Sequence, residues 1–99
     1  MAIYVVTAVR LKDNGEVAKV RWARADGATN TFRERLHDVE VERVLQAFDH
    51  GDIVEMRLET ANGTVSGGQL LRKVLPDGSQ TIRPDRGGPG RTLHDLPRF

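Results

Sequence analysis

Cysteine is missing from the chain, so a disulfide framework, a thiolate nucleophile and a thiolate zinc site are all excluded, and a reducing compartment is permitted. Aromatic residues make up 5% of the 99 positions. That is scarce for the repeated stacking platforms used on single-stranded nucleic acid. Charge of one sign is lacking too: fifteen Lys and Arg against fourteen Asp and Glu leave a net charge of +1, so no global field steers the molecule toward nucleic acid or anionic lipid. No apolar run approaches the roughly 20 residues of a membrane-spanning helix, and no membrane contact is expected. Met1 to Val6 has neither the basic start nor the apolar length of a secretory signal, and Arg10 soon interrupts it. The expected setting is the cytoplasm, where the sequon Asn62-Gly63-Thr64 reads as a turn.

What the chain does contain is a series of turn signals. Asn14-Gly15, Asp26-Gly27, Asn62-Gly63 and Asp77-Gly78 each lie between runs of β-branched, aromatic and alternating residues. Only Leu36 to Asp49 has helical spacing, with Val41, Val44, Leu45 and Phe48 at i, i+3, i+4 and i+7. The expected class is therefore α+β, predominantly antiparallel hairpins in the order β-β-β-α-β-β-β, with one helix packed on the sheet. At this length a single core is expected. It is placed in residues 1–84, followed by a Gly/Pro/Arg-rich loop and C-terminal segment over 85–99.

Local patterns refine this expectation. Ile3 to Leu11 is apolar on both of its alternating faces, as a central strand would be. In Val17 to Ala25, Ala18, Val20 and Trp22 share one face and Lys19, Arg21 and Ala23 the other. A three-residue loop at Ala25-Asp26-Gly27, with positive φ at Gly27, would pair Val20 with Phe32 and Trp22 with Asn30, putting Phe32 in the core. The first hairpin leaves two registers open: three loop residues ending at Gly15 set Val6 opposite Trp22, and a two-residue loop sets Val9 opposite Val20.

Asp38 is the expected helix N-cap and Gly51 its C′ residue. After the helix, Val54, Met56 and Leu58 alternate with Glu55, Arg57 and Glu59, one dry face and one wet. Gly67-Gly68 predicts a bulge or bend. Pro76-Asp77-Gly78 predicts a type I turn closed by glycine. Asp85 to Arg91 has no periodicity and reads as a flexible loop. Beyond it the spacing of Leu93, Leu96 and Phe99 fits a short terminal turn docked on the core, and equally a frayed tail.

The strand Val5-Val6-Thr7-Ala8-Val9-Arg10, the segment Leu70 to Ser79 with its Asp77-Gly78 turn, and the closing Leu93-His94-Asp95-Leu96-Pro97 together resemble a family of small bacterial proteins known as a domain of unknown function. The resemblance implies a bacterial origin, a cytoplasmic setting and a compact α+β domain. It implies no catalytic residues.

Chemistry-bearing residues are dispersed. His37 and His50 flank the helix, roughly 18–20 Å apart at 1.5 Å per residue, and His94 lies near the end, with no His-Glu-x-x-His pair among them. Neither Ser66 nor Ser79 sits in a nucleophile elbow. Glu55 and Glu59 alternate with Arg57 on a solvated face. Gly87-Gly88-Pro89-Gly90 lacks the Lys-Ser/Thr ending of a P-loop. No enzyme activity, cofactor or metal site is expected.

The candidate binding surface is basic: Lys12, Lys19, Arg21 and Arg24 around the second strand, with Arg83, Arg86, Arg91 and Arg98 toward the C-terminus. With this charge balance it reads first as a solvated face. The expected role is that of a non-enzymatic binding or interaction domain, acting through a strand edge or the arginine-rich segment. The alternatives are a nucleic-acid-binding module and a homo-oligomer joined at a strand edge.

Overall fold

The computed structural model describes residues 2–26, 31–60, 63–86 and 92–99. Seven strands form one mostly antiparallel sheet: β1 (Ile3–Leu11), β2 (Val17–Asp26), β3 (Thr31–Phe32), β4 (His37–Glu40), β5 (Ile53–Thr60), β6 (Gly63–Val74) and β7 (Gln80–Pro84). One helix, α1 (Val41–Asp49), and a short 3-10 turn, Leu93–Asp95, complete the chain. The spatial order is β3-β2-β1-β5-β6-β7, with β4 also on β2. β1 is therefore central, as its two apolar faces suggested.

β1 and β5 run parallel, from Ile3 opposite Ile53 to Val6 opposite Met56. Hairpin signals cannot announce such a pair, because parallel neighbours are joined by a long crossover. Here the crossover is β2 to α1, and the helix lies over the sheet it links. Val41, Val44 and Ala47 are its buried positions, with Leu45 and Phe48 packed against the same cluster. They meet Val6, Val9, Val20, Trp22, Val54, Met56 and Leu70. Each fully buried apolar side chain of this size contributes about 1.5–3 kcal/mol against the cost of ordering the chain.

The helix begins later than the sequence predicts. Asp38 is not its N-cap: His37–Glu40 is strand β4, with Val39 opposite Val20 and Asp38 opposite Arg21. Glu40 precedes the first helical turn and makes no side-chain cap bond. Ladder bonds to β2 and the Arg21–Asp38 pair outweigh capping. The end is as predicted, with Gly51 at φ +76° just past the C-cap His50.

Phe32 also departs from expectation. It lies opposite Ala25, while Trp22 faces His37 and Val20 faces Val39. A longer connection than three residues shifts the register, and Phe32 is 39% exposed on the sheet face away from the helix. Gly27 and Asn30, on which the three-residue loop was drawn, lie outside the described residues, as do Asn62 and 87–91.

Both proposed registers of the first hairpin occur. Val6 faces Trp22 and Val9 faces Val20, because an extra residue, Thr7, bulges from β1 between them. A second irregularity, at Ala18, restores the offset toward the turn, where Gly15 N–H donates to Lys12 O and Gly15 has φ +85°. The Thr7 bulge resets the alternation. Tyr4, Val6, Val9 and Leu11 all reach the helix-side cluster, instead of the uniform alternation expected along this strand.

On β6, Gly67 is the extra residue where Met56 faces Gly68 and Arg57 faces Ser66. A Cβ there would lie 2.6 Å from Met56 Cγ, which is why the position carries no side chain. The last hairpin turns at Gly78 (φ +87°), whose N–H donates to Leu75 O.

Candidate functional site

Beyond Val6 and Met56 the two central strands share no further ladder pairs. β1 instead takes up the C-terminal segment. Val9 N–H donates to Pro97 O at 2.9 Å, Phe99 N–H donates to Val9 O at 3.3 Å, and Val9 bridges Arg98 in parallel. Leu93 and Leu96 are buried in the main cluster and anchor this segment. Thr92 N–H and Oγ1 both donate to Asp95 Oδ2 at 2.8 Å, tying the 3-10 turn. Those bonds favour the charged carboxylate and hold Asp95 below the usual Asp range.

On the sheet face away from the helix, this fork opens into a groove of about 420 Å³. Thr7 and Ala8 line it from β1, Arg21 from β2, Arg57 from β5 and Pro97 from the terminal segment, with Phe32 and Leu36 beside them. Leu36 and Phe32 are large apolar side chains left exposed. The lining carries two guanidinium groups and no carboxylate.

Both arginines sit over rings. The Arg21 guanidinium carbon is 4.4 Å from the Phe99 centroid, with Arg10 over the same ring at 5.3 Å, and Arg57 is 5.5 Å from Phe32. Such contacts fix a long cationic side chain in place. Arg10 Nε also donates to Phe99 O at 2.9 Å. Arg21 donates through Nε to Asp38 Oδ1 at 2.8 Å and through a terminal nitrogen to Oδ2 at 3.4 Å. These bonds to Arg21 lower the Asp38 pKa, and the carboxylate in turn raises that of Arg21.

The eight predicted basic residues do not converge. Arg21 lines the fork groove. Lys19 lies two residues along β2, opposite Glu40, and exposed Arg24 is farther on the same strand. Arg98 turns back on its own segment, donating to His94 O and Leu96 O. Lys12 begins the first turn. Arg83, on β7, lines a different cavity, Arg86 is exposed just past that strand, and Arg91 lies outside the described residues.

Arg10, Arg57, Phe32, Leu36 and Phe99 were missing from the sequence-based surface. Arg57 could have been found from the wet face of β5, since Arg21 shares an exposed face on β2. Phe99 carries no such signal. The histidines stay apart in their contacts: His37 Nδ1 lies 3.1 Å from Arg35 O, and His94 Nε2 donates to Gly15 O at 2.9 Å. Among the described residues no group of three His, Cys, Asp or Glu is positioned to hold a metal ion, and no helix is long and apolar enough to cross a membrane.

No protein-family model matches the chain, and no curated protein and no solved structure matches it.

Proposed function

We propose that this chain is a non-enzymatic binding domain of the bacterial cytoplasm, and that the fork groove receives an extended acidic segment of a partner protein. The observation that carries the reading is the pairing of two ring-stacked arginines with exposed Phe32 and Leu36 around one groove, with Asp38 orienting Arg21 through two of its five donors. Arginine with aromatic and aliphatic neighbours is the composition that concentrates binding energy at protein interfaces. Support also comes from the terminal segment, which already adds one extended stretch to the edge of β1 at Val9.

A titration of the full chain with an acidic peptide alternating Glu and Phe, followed by amide shifts, tests this. Saturable, salt-sensitive shifts at Thr7, Ala8, Arg21 and Phe32 are expected, weakened at least several-fold by Phe32→Ala. No shift at these residues rejects the reading.

The outward placement of Phe32 favours one second reading, a single-stranded nucleic-acid site using that ring for stacking. Binding of an oligothymidylate with a steep salt slope, without peptide binding, would replace the first reading by the second.

A further inference from the structure

A second cavity, of about 230 Å³, lies apart from the fork, between β7, the first turn and the 3-10 turn. It is several times the roughly 30 Å³ of one water and below the roughly 300 Å³ at which drug-sized pockets begin. Its apolar lining is Val17, Leu75, Ile82, Pro84 and Leu93. Its charged lining is Lys73, Arg83 and a single acid, Glu16, with the His94 imidazole beside them.

The β6–β7 ladder explains why two cations meet there. Lys73 lies opposite Thr81 and Leu71 opposite Arg83, so Lys73 and Arg83 are diagonal neighbours on one face, within reach of each other's long side chains. Both residues are exposed, and among the described residues neither is ion-paired; the Arg83 guanidinium donates through one terminal nitrogen to Pro84 O at 3.3 Å. Thr81, buried between them, brings a hydroxyl to the same wall. Like charges held as diagonal neighbours, beside the Thr81 hydroxyl and the apolar Leu75, are relieved by an anion that accepts from both.

We propose that this cavity binds a small oxyanion ligand, a carboxylate or phosphate on a short apolar body. The acid group lies between Lys73 and Arg83, and the body rests on Leu75, which shares their face, and on Leu93 across the cavity. The lined volume of about 230 Å³ accommodates a body of a few carbons. Its lining residues are distinct from those that line the fork groove, so this site and the partner-binding reading are tested independently.

Amide shifts of the full chain are followed during titration with butyrate and, separately, with inorganic phosphate, each to about 10 mM. The expected result is saturable shifts at Thr81, Ile82, Thr92 and His94 for at least one probe, with Lys73→Gln/Arg83→Gln weakening binding at least tenfold. Response to both probes identifies the oxyanion as the main determinant. Response to butyrate alone identifies a carboxylate ligand, and to phosphate alone a phosphorylated one. Absence of saturable shifts at these residues with both probes overturns the proposal, as does unchanged binding in the double variant. Both cations are exposed, and an unchanged thermal midpoint verifies that the variant is folded.

Discussion

Val6 and Met56 are the last residues paired across the two central strands, and directly beyond them each strand also slips register against its outer neighbour. Thr7 is the extra residue on one side and Gly67 on the other. The fork is therefore accompanied by two bulges, one within the central strand β1 and one in β6 beside β5, and bulges increase twist and bend the strand that carries them.

Gly67→Ala is expected to destabilise the fold by about 1–3 kcal/mol, because the new methyl would overlap buried Met56. Urea denaturation measures this. A change below about 0.5 kcal/mol, the range of an ordinary surface substitution, would show that Met56 moves aside freely.

Deletion of Thr7 should leave the core register intact, since Val6 already faces Trp22 and Val9 already faces Val20. Tyr4, Val6, Val9 and Leu11 would then alternate regularly toward the helix. The deleted chain is expected to fold with the same helix content by circular dichroism but to lose peptide binding at the straightened fork. Retained binding would separate the bulge from the groove's function.

Phe99→Ala removes the ring beneath Arg10 and Arg21. Such exposed contacts are weak, and the loss should appear locally. Hydrogen exchange at the Val9 amide, whose acceptor is Pro97 O, should accelerate several-fold while amides of α1 hold their rates.

Acid should release the terminal segment before the sheet. Asp95 is held low by donors from Thr92, so its stabilising effect is complete above the usual Asp value of about 3.9. It disappears as pH falls through the depressed folded-state value. Thr92 amide exchange, compared with that of α1 across this acid range, follows the effect. Asp95→Asn should abolish that pH dependence, and an unchanged profile in the variant would contradict the assignment.

Much of the scaffold was legible because local chemistry left little choice. Alternation of Val54, Met56 and Leu58 with polar residues specifies β5, Gly51 ends the helix, and Gly67-Gly68 marks a bulge. Non-local pairing was not legible. The parallel β1–β5 ladder depends on where the crossover lands, and Thr7 has no glycine to announce its bulge. His37–Glu40 resembles a helix start, yet three-dimensional pairing with β2 keeps it extended. The site was harder still: it depends on Phe32 changing faces through loop length, and on Phe99 lying 89 positions from Arg10, to whose guanidinium its carbonyl bonds. Neither separation is visible in a periodicity.

Trp22, the sole tryptophan, is 1% exposed and stacks on Tyr4 with ring centroids 4.2 Å apart and Arg43 above both. The molecule thus carries an intrinsic optical gauge where helix meets sheet. Its emission should begin blue-shifted and move to the red when α1 lifts, reporting cooperative unfolding without any attached dye.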